Sequence, residues 1–216
     1  MEFLGPLLKG LWVTLQVALG GACLATPLAL LGGWARIAPW RGVRWVAVAY
    51  IEVFRGTSAL VQLFWFYFVL PHFGLRLEAM AVGIAVLGLN AGAYGSEVVR
   101  GALQSVPRDQ REAADVLNFT PVQRFWRVIF PQALMIAIPS YGNILIELLK
   151  STALVSLITL ADLTFVAQTL RASTLETGKI FTLVLLLYFA AASCISFGMR
   201  RLERKAGEGW WPGKAA

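Results

Sequence analysis

Charge, histidine and cysteine are all scarce in this 216-residue chain: 14% of its residues are charged, one is histidine and two are cysteine. Set against 58% hydrophobic residues, so little charge excludes an ordinary soluble domain, which carries nearly twice that share. A lone His72 cannot supply the ligand cluster that a metal needs. No nucleophile with a base stands within the apolar runs, so an embedded enzyme site is not visible. Cys23 and Cys194 fall inside apolar runs, where a thiol acts as a small apolar side chain and is silent about redox compartment. A phosphate-binding loop is missing too: Gly213-Lys214 follows Gly207 at the wrong interval and ends in alanine.

What the chain does have is apolar residues in long blocks. Four of these, Leu11–Trp34, Thr57–Leu70, Ala79–Tyr94 and Ile180–Met199, read as helices crossing a bilayer, for which roughly 20 apolar residues are needed. The second is short, and the preceding Val43–Phe54 lends it an interfacial extension. A fifth, from about Gln132 to Leu149, is interrupted by Pro139, Ser140, Asn143 and Glu147. The first block is too long for a secretory leader, has no basic region before it, and meets Arg36, Arg41 and Arg44 directly after it. It reads as a retained span. The expectation is an all-α membrane protein of about five transmembrane helices.

The net charge of +7 raises the question of nucleic acid, and the placement of the basic residues answers it. With the N-terminus (1–10) outside, fourteen of the nineteen Lys and Arg fall in inner segments: Arg36 to Arg55, Arg100 to Arg127, and Arg200 onward through the tail 204–216. Lys9, Arg76, Lys150, Arg171 and Lys179 make up the outer five. This is the positive-inside asymmetry, and with five spans it puts the C-terminus inside. The charge is topological.

The longest inner segment, 96–131, predicts two short helices. Pro107 opens the first, with Asp109 and Glu112 near its positive end, and Asn118 closes it in the left-handed conformation of a C-cap. Thr120 caps the second, with Pro121 at its first position and Gln123 completing a capping box. Ala113 and Ala114 beside Glu112 offer a close-approach surface, and Phe119, Phe125 and Trp126 add apolar bulk that a solvated loop does not need. Such a knob suits docking into a groove.

Glu112-Ala113-Ala114, Asn118 and Val128-Ile129-Phe130-Pro131 resemble the EAA motif of ABC importer permeases, E-A-A-x3-G-x9-I-x-L-P, with matching spacing. Asn118 stands for the usual glycine, Val128 for isoleucine and Phe130 for leucine. Arg55-Gly56-Thr57 with Gln62, Asn90 to Tyr94 with Glu97 and Arg100-Gly101, and Leu149-Lys150-Ser151-Thr152 extend the resemblance to the polar amino-acid branch, related to histidine, glutamine and arginine importers. The tone of the chain is also similar to ectoine and hydroxyectoine permeases. The resemblance implies a type I importer permease domain over 11–203 in the bacterial inner membrane, with no cofactor of its own. It also implies that Glu112, Ala113, Ala114, Asn118 and Pro131 couple to a cytoplasmic ABC ATPase dimer that uses the ATP. Other implied partners are a second permease chain, the same or homologous, and an extracytoplasmic solute-binding protein. A stand-alone channel would not need the docking knob.

Polar residues inside spans are expensive, so each needs a reason. Ser140, Asn143, Glu147 and Lys150 recur at intervals of three and four, which puts them on one helical stripe. The stripe either lines a solute path, with the Ser151-Thr152 turn, or Glu147 and Lys150 pair with each other across one turn. Asn90, Tyr94 and Glu97 repeat the spacing, while Gly88 and Gly92 allow close helix contact. Gln62, alone among aromatics, is either helix glue or a ligand contact. The segment 151–179 is too polar to span and too apolar to be disordered; it reads as a re-entrant or interfacial helix over the outer mouth, serving as a gate or a receptor platform.

Overall fold

The computed structural model describes residues 3–208, and within them every regular element is a helix. The end of the expected tail, 209–216, with Gly213 and Lys214, lies outside the described residues. Helix α1 (Leu4–Arg36) starts seven residues before the apolar block and, at 33 residues, is about 50 Å long. It packs most extensively on α4 (Ala79–Ser105). Small residues make this possible: a Cβ on Gly88 would lie 2.9 Å from Leu24 Cδ2 and 3.1 Å from the Gly21 carbonyl, and one on Gly92 would lie 2.9 Å from Leu28 Cβ. The expected close contact at Gly88 and Gly92 is therefore present, and its partner is α1. Without a hydrophobic force between helices in lipid, such backbone approach is what holds them.

The third span corrects the expected boundary. Helix α4 does not end at Tyr94 but continues to Ser105, so Ser96–Ser105 belongs to the span and not to the loop. Ser96 is fully buried and donates to Gly92 O at 2.8 Å, and Glu97 pairs with Arg36 (3.1 Å) and Arg100 (2.7 Å). Polar residues that look like the start of a loop are thus satisfied within the helix pair.

The second span is a bent pair. Helix α2 (Arg41–Gly56) meets the helical run Ala59–Phe73 at 101° across an extended Thr57-Ser58. This run opens as α3 (Ala59–Phe64) and passes through a π-turn at Trp65–Val69 and a 3₁₀ turn at Leu70–Phe73. The break frees carbonyls at the end of α2, which in a membrane must find donors inside the protein. Thr57 Oγ1 donates to Val53 O (2.7 Å), while Gln62 Nε2 (3.1 Å) and Asn90 Nδ2 (2.8 Å) both donate to Phe54 O. The two side-chain amides hold the kink.

After α4 come α5 (Arg108–Val116) and α6 (Pro121–Arg124), then a π-turn at Phe125–Ile129 that leads without interruption into α7 (Phe130–Ser151). Pro131 therefore does not close the loop; it sits in the first turn of α7. Its ring would clash with the carbonyl four residues back, and the wider π-turn preceding it, closed by Phe130 N–H to Phe125 O, takes up the misfit. Pro139 lies farther along α7.

The segment 151–179 is more deeply embedded than an interfacial helix. A 3₁₀ turn, Thr152–Ile158, ends at Thr159 in the left-handed region (φ 62°) and buries Val155 and Ile158 in the main core with Val17, Val82 and Val86. Helix α8 (Leu163–Thr174) then packs Leu163 and Ala167 against Leu7 of α1 and against Ile180 of α9 (Thr177–Glu208). Leu163 N donates to the buried Thr14 Oγ1 at 3.1 Å, and Gly10 lets α1 approach the Asp162–Leu163 backbone. Among the described residues four helices are long and apolar enough to cross a membrane, and the bent pair taken as one span makes five.

Candidate functional site

Two places gather the residues singled out by sequence. The first is the turn between α5 and α6. Phe119 N–H bonds to Ala114 O at 3.1 Å and Asn118 N–H to Asp115 O at 3.0 Å, with Asn118 at φ 56°. This is the Schellman pattern, with asparagine in the left-handed position usually held by glycine. Thr120 Oγ1 accepts from Gln123 N–H and Gln123 Oε1 from Thr120 N–H, so the capping box forms as expected. An ion pair between Arg124 and Asp115 ties α6 to α5, and Arg111 donates to Leu103 O at 2.7 Å, tying α5 to the end of α4. The knob is thereby braced on the third span.

Two details differ from expectation. Pro107 stands at the N-cap of α5 and not inside its first turn. Ala114 is 2% exposed and so faces inward, not outward. Glu112 and Ala113 are exposed, and so are Val116 (82%) and Leu117 (67%). The outward face of α5 is thus Glu112 and Ala113 followed by two aliphatic residues, a surface that a solvated loop has no reason to carry.

The second place is a cavity of about 520 Å³ where the α2–α3 break faces α4 and α7. Its wall joins Thr57 and Ser58 of the break, Asn90 and Tyr94 of α4, and Asn143, Glu147 and Ser151 of α7. Asn90, Asn143, Glu147 and Ser151 were legible as candidates. Gln62 is not in the wall: it is 8% exposed, and its Nε2 donates to Phe54 O and to Thr57 Oγ1 (2.6 Å). Thr152 is fully buried and donates to Leu149 O at 2.6 Å. Ser140 and Lys150 are exposed on α7 outside the cavity. Glu147 and Lys150 form no ion pair, and Glu147 has no ion-pair partner among the described residues. Thr57, Ser58 and Tyr94 complete its polar part, and Ala59, Leu87, Ala91, Ile144 and Leu148 supply the apolar remainder. The breaker run Gly56-Thr57-Ser58 inside an apolar block was the signal for the first two. Arg55 lies over the Tyr94 ring at 5.1 Å, which places a guanidinium behind one wall residue.

The cavity therefore offers one uncompensated carboxylate and two amide side chains. It also exposes the start of the helical run Ala59–Phe73, whose N-cap Ser58 makes no side-chain cap. An uncapped first turn presents free N–H groups and the positive end of a helix dipole.

Residues 25–207 match the family described as "Binding-protein-dependent transport system inner membrane component". The chain belongs to this family. It is 46% identical over 208 residues to a Sinorhizobium fredii protein named "Probable amino-acid ABC transporter permease protein y4tF", covering 94% of this chain and 87% of that one. To the "Glutamine transport system permease protein GlnP" of Escherichia coli it is 33% identical over 201 residues, 92% of each. Its fold is similar to a chain of a solved structure described as "Crystal structure of an amino acid ABC transporter with histidines", with a TM-score of 0.87 at 31% identity over 94% of this chain and 95% of that one. The type I importer permease fold and the transport role read from the EAA-like motif stand on these matches. The chain is a permease subunit of the ABC importer class.

Proposed function

We propose that this permease carries a polar amino acid, rather than ectoine, through the cavity between the α2–α3 break and α7. The observation that carries the reading is the lone Glu147 carboxylate facing an uncapped helix start across a wall of amides. An amino acid has an ammonium and a carboxylate a few atoms apart. Glu147 meets the first, and the first-turn N–H groups at Ser58-Ala59 meet the second, an arrangement broken membrane helices are suited to supply. Asn90, Asn143 and Ser151 bind the remainder of the solute, while Ser140, Lys150 and the buried Thr152 and Gln62 set the surrounding helices. Relatives named for amino acids and for glutamine support this choice of solute class.

The energy comes from a cytoplasmic ATPase dimer that receives the exposed face of α5, Glu112 and Ala113 with Val116 and Leu117. A second permease chain, the same or homologous, and an extracytoplasmic solute-binding protein complete the importer. The N-terminus faces outward and the C-terminus inward, a reading supported by the fourteen-to-five division of basic residues. The test is Glu147→Gln in vesicles that hold the ATPase: solute uptake falls at least tenfold, as expected for a lost charge-assisted contact of about 1.5–3 kcal/mol, while basal ATP hydrolysis survives. Unchanged uptake would remove Glu147 from the solute path.

A further inference from the structure

A separate cavity of about 320 Å³ opens where the end of α1, the start of α2 and the last turns of α4 converge. Its wall is Arg36, Arg44, Arg100 and Gln104 with Trp45 and Val48. Among the described residues, the only carboxylate paired with any of these arginines is Glu97, which is shared between Arg36 (3.1 Å) and Arg100 (2.7 Å). Arg100 also donates to Gln104 Oε1 at 2.7 Å, so two guanidinium groups are fixed in place. Arg44 has no ion-pair partner among the described residues. Three guanidinium groups against one carboxylate leave the cavity cationic, with room for an anion of phosphate size.

The adjoining surface says what kind of anion. Helix α2 exposes Trp45 (70%), Val46 (73%) and Val53 (57%), an apolar strip that begins at the cavity wall and climbs away from it. Trp34, near the end of α1, and Trp40, at the N-cap of α2, are exposed as well. Tryptophans at that level mark the boundary between headgroups and acyl chains. A soluble anion would use the arginines and leave the strip bare; a phospholipid uses both, its phosphate in the cavity and a chain along α2. Basic pockets between membrane helices at the positively charged end are suited to such headgroups.

We propose that this cavity is a binding site for an anionic phospholipid, gripped through its phosphate by Arg44 with Arg36 and Arg100. The site rests on the chain spanning a bilayer and is independent of the solute carried. The experiment uses the full chain purified in mild detergent and titrated with phosphatidylglycerol, with phosphatidylcholine of the same chains, and with inorganic phosphate, bound species being read by native mass spectrometry. Phosphatidylglycerol is retained in preference to phosphatidylcholine, and millimolar phosphate does not displace it. Arg44→Gln, which leaves the Glu97 network intact, weakens phosphatidylglycerol binding about fivefold, the share of one basic residue near an anionic surface. Arg44→Lys, which keeps the charge, stays within about twofold of the parent chain. Equal retention of both lipids, or an Arg44→Gln chain that binds like the parent, overturns the site. Phosphate that binds alone and displaces the lipid makes it a free-anion site and overturns the lipid assignment.

Discussion

Asp162 is the residue whose removal speaks most directly about how the segment between the fourth and fifth spans is held. It is fully buried at the N-cap of α8, and its two oxygens accept from Phe165 N–H (2.9 Å) and Thr164 N–H (3.2 Å). Burial pushes the carboxyl from its ordinary 3.8 up to about 6, against the opposite pull of those amides. Ionising it in place therefore costs about 3 kcal/mol. Below pH 3.8 both folded and unfolded chains hold the proton and the group contributes nothing. Between 3.8 and about 6 the folded chain keeps a proton that the unfolded chain has lost, so stability falls as pH rises. Above that window the whole penalty stands. Asp162→Asn removes it and keeps the Phe165 bond, since asparagine is also a good N-cap. It turns an NH₂ group toward Thr164 N–H, however, and gives back about 1 kcal/mol.

The net result is a variant more stable than the parent by about 2 kcal/mol at pH 7.5, roughly 4–8 °C in Tm for a chain of this size. At pH 4 it is slightly less stable, and the two curves cross near about pH 4.5 by the same linkage. Thermal unfolding of both chains in one detergent across pH 4–8 reads this out. A variant that is less stable by the same amount at every pH would mean that Asp162 acts as a plain cap and that its burial carries no cost.

Asn118→Gly is expected to be neutral, because φ 56° suits glycine, while Asn118→Val costs about 1–2 kcal/mol locally and lowers ATPase stimulation by solute with the chain still in the membrane. Normal stimulation in the valine variant would separate the Schellman turn from coupling. Gly10→Ala places a Cβ 2.9 Å from Asp162 O and Leu163 Cα and should lower Tm by several degrees, since backbone on both sides leaves little room to yield. Gly42→Ala, with nothing within 4 Å, should raise stability by about 0.5–1 kcal/mol through helix propensity alone; equal effects at the two positions would contradict the close packing of α1 on the Asp162 segment.

Much of this was legible in the chain because local chemistry and the bilayer leave few choices. Thr120, Pro121 and Gln123 specify a capping box whatever surrounds them, and Asn118 specifies a left-handed turn. Apolar length located the spans, but not their ends. Serine and glutamate after Tyr94 look like loop by hydropathy, yet Ser96 bonds back to Gly92 O and Glu97 is neutralised by Arg36 from another helix, so α4 runs on to Ser105. That pairing is tertiary and leaves no local trace. Ala113 and Ala114 are equivalent in sequence, and only the packing of α5 decides that Ala114, 2% exposed, faces inward while Ala113 stays exposed.

The cavity shows the same division between what periodicity can and cannot carry. A helical stripe fixes which residues of α7 share a face, so Ser140, Asn143, Glu147 and Lys150 belonged together on sequence grounds. It cannot fix how far along that face a neighbouring helix stops. The break at Thr57-Ser58 lies opposite Asn143, Glu147 and Ser151, and it leaves Ser140 and Lys150 outside. The break in turn persists because Gln62 and Asn90 donate to the carbonyl it frees, so two amides that resemble ligands in sequence are committed to the backbone. Asn90 does both, holding the kink with Nδ2 and forming part of the wall. A substitution there would disturb the shape of the cavity before it altered any contact with solute, so Glu147, whose charge no helix needs, is the cleaner probe of transport.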